Sequence, residues 1–347
     1  MDAKITKQRI GRMLSYDWLK IVGIILAVII GWSLIFTMTA TRILPSQEIT
    51  IFSYYCNDTL PRTYYDREDA LVERKVFSHQ VLEVNTYDLA VQKDMQGMML
   101  NTRLSTNEGD VIFVPHVANL DNAIQVGEEV KYPLTYVETL FASRPFQFFE
   151  VEKYLDGVST WLDGWYIGGH ETNAINEEKI KTEFIARVTQ DKDKRYKTDK
   201  QKQAGALAEV ERVKKYKEAY DTVEQAIADG FVRLEYIQTR NKDGSLWTYD
   251  ETSETAVREG MYALNLCPNP EFLGTDATAK LRDWYQYEEP KAEEETSSSN
   301  KEDEDNGNTT SKNMCVMFFD MEDVDDTEEY ESLVYVAYMI NDCYYNA

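Results

Sequence analysis

Side chains that could bind a small polar molecule lie at or after the ends of three strand-like runs of the sequence. The candidates are Tyr55, Asn57 and Asp58 after the first run, Tyr87 and Asp88 after the second, and His116 after the third. Tyrosine rings can stack on solutes, amides and carboxylates can hydrogen-bond to them, and the histidine adds one titratable imidazole. If the runs are parallel strands, these residues converge on the edge where ligands bind in open α/β sheets. The alternative for each residue alone is an ordinary loop position.

A second group of candidate ligand residues lies in the sequence STWLDGWYIGG, at positions 159–169. Its glycines predict a turn, and Trp161 and Trp165 on such a turn could stack on a sugar ring. Packing of these indoles in the core or between two lobes is the favoured alternative.

The acidic sequence DMEDVDDTEEYE at positions 320–331 is a candidate calcium site, because hard cations prefer carboxylate oxygens. It lacks the central glycine and the regular acidic alternation of an EF-hand loop. We therefore favour a solvated acidic turn at the start of a helix, where acidic residues suit the helix dipole. We predict no metal ion and no other cofactor.

Motifs of the common enzyme classes, such as GxSxG, HExxH, the Walker loop and GxGxxG, are absent from the sequence. A pair formed by Cys56 and His116 is the remaining arrangement for nucleophilic catalysis, and we favour a protein that is not an enzyme. The cysteines form no CxxC and could pair in three ways, for example Cys315 with Cys343.

Acidic residues outnumber basic ones, with 61 Asp and Glu against 37 Lys and Arg and a formal net charge of −24. So acidic a chain repels phosphate backbones, and we expect no nucleic acid among its partners. Residues 288–313 hold nine acidic side chains and no large apolar one, which predicts a disordered acidic insertion. The apolar run at 314–321 follows it, so the insertion lies inside a folded domain.

A single membrane anchor is predicted near the N-terminus. Residues 21–41 form 21 uncharged, mainly apolar positions, enough for a helix to cross a hydrocarbon core of roughly 30 Å. Five basic residues precede this segment, so we expect residues 1–20 in the cytoplasm and residues 45–347 outside the cell membrane. A cleaved signal peptide is the alternative, but the apolar run is longer than a usual signal core.

The first residues beyond the anchor alternate between strand-like and helical patterns. Residues 49–56, 81–87 and 110–115 read as strands, and residues 66–79 and 89–104 read as the helices between them. This β-α-β-α-β order predicts a parallel sheet covered by helices, in the α/β class.

The rest of the chain adds one long helix and three further strands. Apolar residues at helical spacing from 207 to 227 predict an amphipathic helix that ends at Gly230. The basic residues between 179 and 217 are interleaved with acidic ones, which favours a solvated helix face over a site for an anionic partner. Three further strands are predicted at 232–239, 261–267 and 314–321, and a packed closing helix at 328–345.

The exterior part of the chain resembles the bacterial extracellular solute-binding proteins of ABC importers, which have a periplasmic-binding-protein-like fold. The resemblance rests on the ITIFSYY strand, the VLEVNTYD strand, the Gly109-Asp110 pair before the third strand, and the closing ESLVYVAYMIND helix. It covers residues 49–116 and, more loosely, 261–345. It implies two α/β lobes that close on a small polar solute, and an ABC transporter permease as partner.

Three features depart from that family. Members of the family are usually released or held by a lipid on a cysteine, whereas this chain has an apolar helical segment. In this chain the region 170–260 is also unusually charged, and the acidic insertion has no counterpart in the family pattern. The competing hypothesis is therefore a cell-envelope scaffold or interaction protein that has the same fold and binds no small ligand.

Overall fold

The structure, a computed structural model, describes most of the chain. The described residues are 7–39, 47–58, 71–106, 108–119, 124–126, 129–131, 134–144, 146–238, 259–269, 280–289, 309–320 and 330–345. The chain divides into two units, Met1–Leu44 and Pro45–Ala347. The second unit is one compact body, so the two lobes implied by the family resemblance are not confirmed.

The first unit contains one long helix, α1 (Lys7–Thr39). Its apolar part, Trp18–Phe36, is 19 residues long, and none of it is buried. By length and composition it can cross a membrane. The prediction of one apolar N-terminal helix is therefore confirmed, with a start well before residue 21, whereas its orientation in a membrane stays a prediction.

Eleven strands are described in the second unit. They are β1 (Glu48–Ser53), β2 (Asn57–Asp58), β3 (Glu83–Asp88), β4 (Val111–Pro115), β5 (Ile124–Val126), β6 (Glu129–Lys131), β7 (Arg233–Gln238), β8 (Glu259–Asn265), β9 (Tyr285–Glu288), β10 (Thr309–Thr310) and β11 (Met314–Phe318). Six form the main sheet, in the order β3-β1-β4-β11-β8-β7, and these are the six strands that the sequence predicts. A small sheet has the order β10-β9-β2, and β5 pairs with β6.

The main sheet is mixed, because the parallel pairing predicted for the first three of these strands does not extend to the other three. β1 runs parallel to β3 and to β4, as the β-α-β rhythm predicts. β11, β8 and β7 are each antiparallel to the neighbour before them in the sheet. Parallel neighbours require a crossover connection, usually a helix, and the helix-strand alternation in the sequence ends at β4.

Both faces of the main sheet are buried. Along β1, Ile49 and Ile51 enter one hydrophobic cluster, and Phe52 enters the other. Val111 and Ile112 on β4 divide between the two clusters in the same way. Because successive side chains of a strand point to opposite faces, a strand buried on both faces is mainly apolar; β4 is apolar throughout, whereas β1 also buries Thr50 and Ser53.

Helices cover both faces. They are α2 (Gln96–Leu104), α3 (Tyr136–Ser143), α4 (Val151–Asp163), α5 (Glu177–Gln190), α6 (Asp199–Ala228) and α7 (Glu331–Ile340). α2 and α3 pack on the face that contains Phe52, and α4, α6 and α7 pack on the other. A capping box of Thr198 and Gln201 starts α6, and Gly230 follows its end with φ of 75°, so the predicted long helix is confirmed. The closing helix is confirmed as α7, which continues into a π-helical turn, Asn341–Tyr345.

The helix predicted at 66–79 is shorter than expected. Residues 66–70 lie outside the described part of the chain, residues 71–73 are helical, and Lys75 has φ of 53°. The Lys215 ammonium donates to the carbonyls of Val76 and Phe77, at 3.1 and 2.9 Å. These carbonyls bond to α6 rather than within a helix of their own.

The predicted acidic insertion is folded at both ends. Glu288 ends β9 and pairs with Thr309 of β10, and Ser311 is fully buried. The disorder predicted for 288–313 is therefore wrong for residues 309–313 and for Glu288, whereas residues 290–308 lie outside the described residues. The strand before the insertion, β9, pairs with β2, and composition alone does not predict this pairing.

Candidate functional site

A strained residue marks the carboxyl end of β1. Tyr55 has φ of 56°, a left-handed conformation that is uncommon for residues other than glycine. Its backbone N–H donates to Oε1 of Gln96 over 3.3 Å, and its ring lies 4.1 Å from the ring of Tyr136. The ring of Tyr54 meets it edge-on at 4.6 Å. Contacts from the adjacent Tyr54, from α2 and from α3 therefore hold Tyr55 in place.

A cavity of about 510 Å³ opens beside Tyr55, and we call it the tyrosine pocket. It is lined by Tyr55, Asn57, Ala90, Val91, Gln96, Tyr136, Gln286, Tyr287, Glu288 and Thr309. These residues come from the segment after β1, from β2, β9 and β10, and from the starts of three helices: the 3₁₀-helix Leu89–Met95, α2 and α3. Its volume suits a small organic molecule.

The lining of the tyrosine pocket is polar but nearly uncharged. Tyrosine hydroxyls, three amides and one threonine hydroxyl line it, and among the described lining residues Glu288 is the only one with an acidic or basic side chain. The Tyr287 hydroxyl donates to the carbonyl of Lys312 over 2.7 Å, and burial raises the pKa of Tyr287 well above its ordinary value. The pocket can therefore offer ring faces and hydrogen bonds, with at most one negative charge.

Two of the candidate ligand residues, Tyr55 and Asn57, line this pocket. Asp58 pairs with Tyr285 at the next position of β2. The tyrosine pocket lies beyond the carboxyl end of β1, where the rule for open α/β sheets predicts a ligand site.

Tyr87 and Asp88 end β3 at the same edge, outside the lining of the tyrosine pocket. The Tyr87 ring stacks on Phe52 at 5.6 Å, and the guanidinium of Arg103 lies 4.3 Å from its centre. A carboxylate oxygen of Asp88 accepts the backbone N–H of Ala90 over 3.0 Å and so caps the 3₁₀-helix Leu89–Met95. Both residues have structural contacts at this position.

His116 directly follows β4 and belongs to a separate polar cluster. Its Nδ1 is 3.8 Å from a carboxylate oxygen of Glu235. The other oxygen of Glu235 accepts from Arg233 and from Asn265, the latter over 2.8 Å. The candidate residues that follow the three strands therefore do not converge on one pocket: Tyr55 and Asn57 line it, whereas His116 contacts Glu235.

The tryptophans pack against the core, and the predicted turn is wrong for Trp161, which lies within α4. Its ring is 5.3 Å from Tyr216 and 5.7 Å from Trp165. The Arg212 guanidinium lies 5.7 Å from its centre. The helical spacing of Val151, Leu155, Val158 and Leu162 could have revealed this helix.

The four cysteines are buried and none forms a disulfide, so the Cys315–Cys343 pairing considered for the sequence does not form. The thiol of Cys56 donates to the carbonyl of Phe113 over 3.3 Å, and burial raises the pKa of Cys267 to about 11. No group of three or more metal-ligating side chains occurs among the residues that the structure describes. Most of the candidate calcium segment, residues 321–329, lies outside them.

Sequence reasoning misses Gln96, Tyr136 and Tyr287, although all three line the pocket. One available signal is the Thr135–Glu138 capping box, which places Tyr136 at the first position of α3. Gln96 and Tyr287 lie 41 and 232 residues from Tyr55 in the numbering, and only the fold brings them together.

Comparisons of the chain with protein-family models, with curated proteins and with solved structures found no match. The function of the chain is therefore inferred from its own residues. In the described structure, the tyrosine pocket brings two of the candidate ligand residues, Tyr55 and Asn57, together beside an open volume.

Proposed function

We propose that the chain is a membrane-anchored solute-binding protein that works with an ABC importer and takes its solute in the tyrosine pocket. The observation that carries this proposal is an open volume of about 510 Å³ beside Tyr55 and Asn57, two residues that follow the first strand. Structural strain at Tyr55 supports it, because residues held in rare backbone conformations cluster at ligand sites.

The solute is a small, neutral or cationic polar molecule. Tyrosine faces attract both sugar-like rings and cations, and the amides of Gln96 and Gln286 donate and accept hydrogen bonds. The described lining contributes Glu288 but no lysine or arginine, so an anion would meet no compensating charge. The solute is received in the pocket of one compact unit rather than in a cleft between two lobes.

The residues after α1 lie outside the cell, where the pocket meets the solute and an ABC transporter permease receives it. Basic residues before the apolar segment favour a cytoplasmic N-terminus. Protease added to intact cells is expected to degrade the second unit, and full protection of this unit would reverse the orientation.

The experiment that tests this proposal is a thermal-shift screen of the full-length chain in detergent against sugars, amino acids, amines, peptides and metal ions. A solute at a hundred times its dissociation constant adds about 2.7 kcal/mol of stability. Tyr136→Ala removes the ring that lies against Tyr55 and should abolish the shift. Tyr236→Ala is the matched control, because Tyr236 is 47% exposed on β7 and does not line the pocket.

A cell-envelope scaffold that binds no small ligand is the second candidate. The observation in its favour is that Tyr87, His116 and Trp161 are engaged in contacts within the protein. If no class of solute shifts the melting temperature, or if Tyr136→Ala keeps the whole shift, the scaffold replaces the solute-binding protein.

A further inference from the structure

A second cavity of about 420 Å³, here called the arginine pocket, lies between the C-terminal ends of α2 and α3. Its lining includes Asn101, Leu104, Ser143, Arg144, Phe146 and Gln147. None of these residues lines the tyrosine pocket, so the two cavities are separate.

Arg144 differs from the other partly buried arginines of the described structure. Each of the others has a carboxylate partner: the pairs are Arg195 with Asp193, Arg212 with Glu209, and Arg103 with Glu108. Arg144 forms no ion pair with a described carboxylate. It donates to neutral oxygens, Oγ of Ser143 over 2.7 Å and Oδ1 of Asn101.

The Arg144 side chain is nonetheless partly buried, and this burial lowers the pKa of its guanidinium. A partly desolvated cation is costly unless a counter-charge compensates for the lost water. A guanidinium has five N–H donors, and two are used, so three are left for a ligand. A carboxylate accepts from such a fork through both oxygens.

The other walls of the pocket restrict the ligand further. Oε1 of Gln147, one of the lining residues, is buried without a hydrogen-bond partner, so this oxygen lacks a donor. Leu104 and Phe146 add apolar surface, and the Phe146 side chain is 42% exposed. The complementary molecule has a carboxylate, a nearby hydrogen-bond donor and an apolar group.

We propose that the arginine pocket binds a small organic carboxylate that has a hydroxyl or amine next to the carboxylate and carries a short apolar side group. The carboxylate bonds to Arg144, the hydroxyl or amine donates to Gln147, and the apolar group lies against Leu104 and Phe146. This site is independent of the solute in the tyrosine pocket, and a failure of either proposal leaves the other standing.

The test is isothermal titration calorimetry of the full-length chain in detergent with 2-hydroxy-3-phenylpropanoate. We expect this probe to bind, its amide not to bind, and 3-phenylpropanoate, which lacks the hydroxyl, to bind more weakly. Arg144→Gln should weaken binding by about tenfold or more, the effect of losing a charged hydrogen bond. Arg144→Lys should recover part of the affinity.

Two further variants separate binding from folding. Arg103→Gln is the matched control, because Arg103 lies on the same helix as Asn101 but pairs with Glu108, and it should leave binding unchanged. Gln147→Leu keeps Arg144 and should remove the preference for the hydroxylated probe. Equal binding of acid and amide, tighter binding of inorganic phosphate than of the organic acids, or unchanged affinity in a folded Arg144→Gln would overturn the proposal.

Discussion

Tyr55 stays in a left-handed backbone conformation because its neighbours fix it there. Such a conformation costs on the order of 1–3 kcal/mol for a residue with a side chain, which the rest of the fold must offset. The bond from its N–H to Gln96 and the ring contacts with Tyr54 and Tyr136 supply part of that offset. The same contacts set the position of the ring in the pocket wall before any solute arrives, so little ordering is left to the binding step.

For Gly205, a buried residue of α6, we predict that substitution by alanine destabilises the protein, although helix propensity alone predicts the opposite. Alanine normally stabilises a helix interior by about 1 kcal/mol relative to glycine. At Gly205, however, a Cβ atom would lie 2.7 Å from the ring of Phe184 and still closer to the ring of Tyr196. Overpacking costs about 1–3 kcal/mol, so we expect Gly205→Ala to lower the free energy of unfolding, measured by urea denaturation.

Gly157→Ala in α4 is the matched control for this substitution. A Cβ there would meet the Tyr330 hydroxyl at 3.4 Å, an ordinary contact, so the gain in helix propensity should remain. A Gly205→Ala chain as stable as the unchanged one would show that the rings of Phe184 and Tyr196 move apart without cost.

At the scale of elements, the sequence predicts well which segments form strands, but it predicts poorly which strands pair with each other. Hydrophobic patterning locates the six strands of the main sheet, because burial of one or both faces acts directly on residue type. It does not reveal that β11 inserts between β4 and β8, since pairing partners depend on contacts far apart in the chain. The same holds for the residues that line the pocket. Tyr55 and Asn57 can be predicted from the sequence because they follow a strand, whereas Tyr287 reaches the pocket only through the pairing of β9 with β2.

The hairpin of β9 and β10 gives a prediction at this scale. Glu288 and Thr309 pair with each other and line the tyrosine pocket, so residues 290–308 connect two fixed points. Replacing 291–307 with a short Gly/Ser linker shortens a closed loop, which changes the closure entropy only logarithmically. We expect the melting temperature to change by no more than about 2 °C, measured by circular dichroism.

Extending the same replacement to residue 311 is the informative contrast. It removes β10 and the fully buried Ser311, so this longer replacement should lower the melting temperature clearly. A large loss of stability from the shorter replacement would mean that residues 291–307 contribute to the fold themselves.

At the scale of the whole molecule, a buried polar network joins distant parts of the chain. Arg212 donates to Glu209 over 2.6 Å and to the Tyr216 hydroxyl over 3.4 Å, and that hydroxyl donates to Glu331 at the start of α7 over 2.9 Å. Glu331 also accepts the backbone N–H of Ser78 over 3.2 Å. Removing one member would leave buried charge uncompensated, so the network ties the segment around Ser78 to α6 and α7.

His79 borders this network and gives the chain a pH-dependent stability. Both of its ring nitrogens are buried without a hydrogen-bond partner, and burial lowers its pKa to about 4, partly opposed by Glu209 at 3.8 Å. The unfolded chain protonates His79 near pH 6.5 but the folded chain does not, so the free energy of unfolding falls as pH falls from about 6.5 towards 4. At pH 5 the expected loss is about 2 kcal/mol relative to pH 7.5.

The variant His79→Leu isolates this contribution from the titration of other groups. Leucine fills a similar volume without titrating, so urea denaturation at pH 7.5 should find the variant no less stable than the unchanged chain. At pH 5 the variant should be more stable, by about 2 kcal/mol beyond any difference at pH 7.5. Parallel loss of stability in both chains between these pH values would place the acid sensitivity elsewhere, with Glu209 the first group to examine, since Arg212 holds the pKa of that carboxyl below its usual value against the effect of burial.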